Sequence, residues 1–295
     1  SRDEGNSVQQ TLDGGFIIVG ETQSIGDING DILLIKTDAN GNEEWNQSFG
    51  GSNRDIGHSA LQTIDGGYIL TSTTESYGSG GADAWLIKTD VDGNEEWNQT
   101  FGSSSNDEAK SVHTTSDGGF IIVGSTVNIF DYEVEVYLIK TDEMGVEQWS
   151  NTYIGGSGNA SGESVQETID GGYIITGYVS VPGTANNNHT DMLLLKVDAD
   201  GVEEWRNHYG GINNDYGYSV AQSSDGGYVA VGQISTIDTS GSYDTNLFMI
   251  KTNSNGGMEW VQNRGSEFHD IGYSVIETED GGFATTGMVD GGDTW

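Results

Sequence analysis

A pair of glycines followed by a mostly apolar run recurs along the chain: FIIVG from Phe16, YILTS from Tyr68, FIIVG from Phe120, YIITG from Tyr173, YVAVG from Tyr228 and FATTG from Phe283. A strand lacking a polar face must be covered on both sides. Each run is preceded by a short small-sided stretch, such as SVAQ at Ser219. Each complete unit then continues through a loop of variable length to a second apolar run, such as LLIKTD at Leu33. A polar stretch carrying a tryptophan closes the unit, as in EEWNQSF at Glu43. β-Branched and aromatic residues dominate the apolar runs, and no segment combines a 3.6-residue period with caps, so the pattern predicts strands throughout. Asp-Gly-Gly joins the first strand to the second, and Asp-x-x-Gly joins the third to the fourth. Both are tight reversals, which makes the strands antiparallel.

The Asp-Gly-Gly corner stands at Asp13, Asp65, Asp117, Asp170, Asp225 and Asp280, with spacings of 52, 52, 53, 55 and 55 residues. Units begin near Ser7, Ser59, Ser111, Ser164, Ser219 and Ser274. Four antiparallel strands in about 50 residues fit one blade of a β-propeller. The predicted fold is therefore all-β: a β-propeller of four-stranded antiparallel blades with about six repeat units. Residues 1–295 then form a single propeller domain or a fragment of one. A parallel β-helix is the rival, disfavoured by two reversals per unit. The last unit stops at Asp293-Thr294-Trp295, at the start of its third strand. The expectation is a fragment of a longer repeat protein, or a blade completed by another chain.

The runs YGGINNDYGYSVAQSSDGGYVAVGQ (Tyr209 to Gln233) and LLIKTDANGNEEWNQSFGG (Leu33 to Gly51) resemble the SBBP-type β-propeller repeats of bacterial and archaeal cell surfaces. The resemblance covers essentially the whole chain. It implies an extracellular or cell-surface propeller without assigned chemistry.

Composition narrows the partners. Lys plus Arg number 10 against 46 Asp plus Glu, a net charge of −36. Such a surface repels phosphate backbones and anionic lipid, so neither nucleic acid nor direct membrane insertion is expected. With 0 cysteines there is no disulfide framework and no thiolate site. No apolar run approaches the roughly 18 residues of a membrane span.

Candidate chemistry sits at fixed places in the repeat. Asp3, Asp55, Asp107, Asp215 and Asp270 each stand four residues before the first strand's serine; Ala160 replaces the sixth. In a closed propeller they would ring the axis and could hold Ca²⁺ or another hard cation. The competing reading is that each caps its own loop by accepting backbone N–H groups. Lys36, Lys88, Lys140, Lys196 and Lys251 share one position and face Glu43-Glu44, Glu95-Glu96, Glu147, Glu203-Glu204 and Glu259 across a hairpin, which reads as charge compensation. Trp45, Trp97, Trp149, Trp205 and Trp260 read as packing between units. Asn46, Asn98, Asn159 and Asn188 begin glycosylation triplets. Tyr77, Phe130, Tyr132, Tyr178 and Tyr243 lie in or beside the variable loops and are candidate ligand contacts. The five histidines show no metal-ligand spacing.

The functional expectation is a non-enzymatic extracellular propeller in surface structure, assembly or adhesion, with no required cofactor. Its expected partners are copies of itself or other surface proteins, joined through the incomplete unit. A carbohydrate-binding propeller is one alternative. A glycosidase or lyase with a site built from the variable loops is another.

Overall fold

The computed structural model describes residues 2–26, 28–153, 158–182, 188–237, 243–265 and 269–289, with the side chains of 237 and 243 outside that description. The described residues form β-strands and turns and contain no helix. Five antiparallel sheets run in simple meander order and a sixth has two strands. The first is β1 (Asp3–Gln10), β2 (Phe16–Thr22), β3 (Asp31–Thr37) and β4 (Glu43–Phe49). The second is β5 (Asp55–Gln62), β6 (Tyr68–Thr74), β7 (Asp83–Thr89) and β8 (Glu95–Phe101). The third is β9 (Asp107–Thr114), β10 (Phe120–Val127), β11 (Val134–Thr141) and β12 (Glu147–Tyr153). The fourth is β13 (Ala160–Glu167), β14 (Tyr173–Val181), β15 (His189–Val197) and β16 (Glu203–Tyr209). The fifth is β17 (Tyr216–Gln222), β18 (Tyr228–Ile237), β19 (Tyr243–Thr252) and β20 (Met258–Arg264). β21 (Asp270–Glu277) and β22 (Phe283–Val289) form the last.

The chain divides into two compact units, residues 1–133 with 137–152 and residues 134–136 with 153–295. In the first, the inner strands are linked by side chains. Gln62 N–H donates to Gln9 Oε1 (2.9 Å), and Leu12 N–H donates to Gln62 Oε1 (2.8 Å). The second repeats this ladder: Gln222 N–H donates to Gln166 Oε1 (2.6 Å) and Ser224 N–H to Glu277 Oε2 (2.7 Å).

The apolar second and third strands fill the space between consecutive sheets. Ile17, Val19, Ile32 and Leu34 of the first sheet meet Ala60, Tyr68, Leu70, Trp85 and Ile87 of the second. Fully burying each such large side chain is worth about 1.5–3 kcal/mol. The fourth-strand tryptophans close the outer end of each layer, as their repeat position predicts. Trp45 packs on Tyr68 (ring centroids 5.6 Å), Trp97 on Phe120 (6.2 Å), Trp205 on Tyr228 (5.7 Å) and Trp260 on Phe283 (5.9 Å).

The Asp-Gly-Gly corner has a two-part explanation. Its first glycine turns left-handed, with φ of 85° at Gly14 and 83° at Gly226, where side chains are disfavoured. Its second glycine makes room. A Cβ on Gly15, Gly67, Gly119, Gly172 or Gly227 would lie 2.0–2.3 Å from a third-strand carbonyl and 2.5–2.8 Å from the lysine Nζ. The lysine is buried here and donates to the corner aspartate as well as the fourth-strand glutamate. Lys36 Nζ reaches Asp13 and Glu44 at 2.8 Å each, and Lys251 reaches Asp225 at 2.8 Å and Glu259 at 3.0 Å. The expected Lys–Glu pairs form at Lys36, Lys88, Lys196 and Lys251, each with the corner aspartate as a third member that sequence reading left out, whereas Lys140 pairs with Asp117 and the place of the glutamate is taken by Gln148. The lysine's hydrogen bond holds Asp13 and Asp225 well below the usual carboxylate range, helped by Thr11 and Ser223 respectively.

Candidate functional site

The opposite end of each sheet is built differently. The first strand carries a one-residue bulge, seen as register breaks between Gly57 and Ser59, between Gly162 and Ser164 and between Gly217 and Ser219. The bulge pushes a carbonyl toward the second strand. A Cβ on Gly20, Gly124, Gly177, Gly232 or Gly287 would lie 1.8–1.9 Å from that oxygen, which explains the glycine that ends FIIVG and YVAVG. Bulges re-aim side chains. The bulged residues Asn6, His58, Lys110, Glu163, Tyr218 and Tyr273 share one backbone role but have different chemistries.

The aspartates ahead of the bulge are loop caps. Asp55 Oδ2 accepts from Gly51 N–H (2.9 Å) and Ser76 Oγ (2.7 Å), and Asp107 Oδ2 accepts from Ser103 N–H (2.7 Å). Asp215 accepts from Gly211 N–H (2.6 Å) and Ser235 N–H (2.7 Å). Asp3 accepts from Thr22 Oγ1 (2.6 Å) and Ser24 Oγ (2.8 Å). Asp270 is fully buried at the start of β21. No group of three or more His, Asp or Glu among the described residues has a metal-holding arrangement.

What the fold brings beside these aspartates is a second carboxylate, from the start of the third strand. A Cβ on Gly210 would lie 2.3 Å from Asp215 Oδ2 and 2.6 Å from Asp191 Oδ1. The two oxygens are therefore separated by no more than the sum of those lengths. Gly50 lies in the same way between Asp31 and Asp55, and Gly102 between Asp83 and Asp107. At Gly265 the facing group beside Asp270 is Asn246 instead. Burial raises the Asp83 carboxyl, opposed by Ser79 N–H and assisted by the Asp107 charge. Burial pushes Asp215 up to about 6, against the N–H groups of Gly211 and Ser235, with the Asp191 charge adding to the rise.

The Asp191–Asp215 pair alone among these has two histidines at hand. His208 Nδ1 lies 2.7 Å from Asp191 Oδ2, and His189 Nε2 lies 3.4 Å from Asp191 Oδ1. Sequence reasoning nominated Asp215 and missed its three companions. The available signal was positional: Asp31, Asp83 and Asp191 each stand five residues before the repeat lysine.

An aromatic run lies in the same compact unit. Tyr178 contacts Tyr216 (ring centroids 5.3 Å), Tyr216 stacks on Tyr218 (6.4 Å, 9° between planes) and Tyr218 meets Tyr273 (5.7 Å). Burial, then the Glu163 charge, raises the Tyr218 hydroxyl far above its usual range. Of the sequence-predicted aromatic contacts, Tyr178 joins this run. Tyr77 packs on Trp85 (5.1 Å) and donates to Gly50 O (2.9 Å). Phe130 and Tyr132 project into solvent from a loop in which Tyr132 has a φ of 62°. The Tyr243 side chain lies outside the described residues. Asn46, Asn98, Asn159 and Asn188 are all exposed. Asn46 donates to Glu43 Oε1 (2.6 Å), and Asn98 donates to Glu95 Oε1 (2.6 Å) while accepting from Trp85 Nε1 (3.0 Å).

No family model matches the chain. A stretch of 162 residues is 27% identical to the regulatory protein FlaEY of Caulobacter vibrioides, covering 49% of this chain and 17% of that protein. The match thus spans under a fifth of the curated relative's length. Among solved structures, Sqt1 of Chaetomium thermophilum is 12% identical over 97% of this chain and 80% of its own, with a TM-score of 0.48. An endo-1,5-α-L-arabinanase of Thermotoga petrophila RKU-1 is 13% identical over 98% of this chain and 74% of its own, TM-score 0.42. A β-1,2-mannobiose phosphorylase of Listeria innocua is 11% identical over 96% of this chain and 88% of its own, TM-score 0.39.

The similar solved chains include enzymes of glycan breakdown, whereas the expectation was a non-enzymatic chain serving in surface structure, assembly or adhesion. That expectation came from the lack of a short catalytic motif. In a chain of repeated sheets, acidic groups 24 residues apart, such as Asp191 and Asp215, meet only through strand packing, so no local motif announces them.

Proposed function

We propose that the sheets are blades of a β-propeller and that the chain is a glycan-processing enzyme, with Asp191 and Asp215 acting on a glycosidic bond. The carrying observation is the close carboxylate pair at Gly210, one member of which has a pKa pushed up to about 6. Glycoside cleavage needs two carboxyl groups of different protonation, one protonated to donate to the leaving oxygen and one ionised. Asp215, buried and raised, suits the acid. Asp191, within reach of His189 and His208, is the facing carboxyl group. Their closeness falls on the side of retaining enzymes, whose carboxyl groups stand about 5–5.5 Å apart. Tyr178, Tyr216, Tyr218 and Tyr273 supply apolar ring faces with polar tips, the surface type that suits a sugar ring.

The test is turnover of aryl glycosides and oligosaccharides of arabinose, mannose and galactose. Activity on at least one is expected, with a basic limb near pH 6. Asp215→Asn and Asp191→Asn should each lower kcat at least about 100-fold. An absence of turnover across the panel, or turnover that neither substitution lowers, would overturn the assignment.

A further inference from the structure

The corner end of the first compact unit carries a cavity of about 1060 Å³, lined by residues of the first three sheets. Pockets of about 300–1,000 Å³ take drug-sized ligands, so this one has room for a short peptide segment. Its apolar wall is Leu12, Ile64, Trp97, Phe120 and Met144. Leu12, Ile64 and Met144 are exposed, and each is displayed on a tight turn. Gly14 N–H donates to Thr11 O (2.8 Å), Gly66 N–H to Thr63 O (3.0 Å) and Gly145 N–H to Asp142 O (3.1 Å). An exposed apolar patch rimmed by polar groups marks a binding surface.

The charged lining is acidic: Asp65, Glu96 and Glu143 stand against one ammonium, that of Lys88. Lys88 Nζ spends its three N–H donors on Asp65 (2.8 Å), Thr89 O (2.9 Å) and Glu96 (3.0 Å). It keeps none for a ligand, while three carboxylates less one ammonium leave two negative charges in excess. The fourth and fifth sheets repeat the arrangement on a smaller scale. A cavity of about 620 Å³ there places Ile169, Trp205 and Tyr228 beside Asp170, Glu204 and Lys196. Ser254 and Asn255 stand in the repeat positions of Glu143 and Met144, so the excess falls to one charge and the exposed thioether is lost.

We infer that the larger cavity binds a peptide segment of a partner protein in which two basic residues flank an apolar one. The apolar side chain would lie against Ile64 and Met144, and the basic groups would answer the excess charge, one of them at Glu143. Charge complementarity selects this occupant. An acidic segment would add to the repulsion among three carboxylates, and an uncharged one would cover them without a counter-charge. The Asp191–Asp215 pair belongs to the other compact unit and takes no part in this binding.

The probe is the blocked peptide acetyl-Arg-Phe-Arg-amide, added to the methyl-labelled chain and followed by NMR. Saturable shifts led by the Leu12, Ile64 and Met144 methyls are expected, with affinity falling as salt rises. Acetyl-Glu-Phe-Glu-amide should bind at least about tenfold more weakly. Ile64 and Glu143 are both exposed, so Ile64→Ser and Glu143→Gln should leave the melting temperature unchanged. Each should weaken binding of the basic peptide at least about fivefold. Shifts centred on other methyls, no binding at millimolar peptide, equal binding of the acidic peptide, or undiminished binding by either variant would overturn the inference.

Discussion

The two ends of each sheet handle aspartate in opposite ways. At the corner end, Asp13, Asp65, Asp117, Asp170 and Asp225 each meet a buried lysine, and opposite charges close the structure. At the rim end, Asp55, Asp107 and Asp215 each meet another aspartate across a glycine, and like charges are held together under burial. At the corner the lysine holds the aspartate well below the usual carboxylate range, as at Asp13 and Asp225. The rim stores proton affinity, which Asp215 expresses as a pKa near 6. Within one repeat, the proposed chemistry is placed at the end where carboxylates face each other.

The sharpest way to break this comparison is to overfill the corner. Gly67→Ala would set a Cβ 2.2 Å from Thr89 O and 2.7 Å from Lys88 Nζ, and should cost about 3 kcal/mol of stability in urea unfolding. A loss under about 0.5 kcal/mol would mean the corner is loose rather than closed. Next in size is Lys88→Met, which leaves Asp65 and Glu96 without their shared cation. Both carboxylates are about half exposed, so screening holds the expected cost to about 1–2 kcal/mol, read in the same assay at low and high salt.

The smallest effect concerns the rim. A carbon-detected titration should place the Asp215 carboxyl midpoint near 6, against an ordinary value of 3.8. Because its pKa is higher in the folded state, folding favours the protonated form. Asp215 therefore contributes stability that is fully present below pH 3.8 and is lost as pH rises through about 6. Asp191→Asn removes the facing charge and should lower that midpoint by about half a unit to one unit. An Asp215 midpoint near 4 in the parent chain would remove the distinction between rim and corner.

Much of the fold was legible in single residues. The six corners fixed the unit, the apolar second strand fixed its burial, and the repeat position of Trp45, Trp97, Trp205 and Trp260 identified them as packing groups. The candidate site was legible only by half. Asp215 could be named because it recurs at one offset, yet its recurrence pointed to a ring of equals. Asp191 also recurs, but a carboxylate at the start of an apolar strand looks like a strand terminus until the next sheet is laid against it. His189 and His208 occur at this pair and nowhere else in the repeat, so periodicity could not find them.

Strand number and the meander order within each sheet were thus determined by the sequence itself, because tight reversals and uninterrupted apolar runs are local consequences of neighbouring residues. The pairing of Asp191 with Asp215 and the enclosure of Lys36, Lys88, Lys196 and Lys251 by two carboxylates each were decided only in three dimensions. Each depends on atoms from separate strands approaching within about 3 Å, a distance set by packing between strands that no run of adjacent residues encodes.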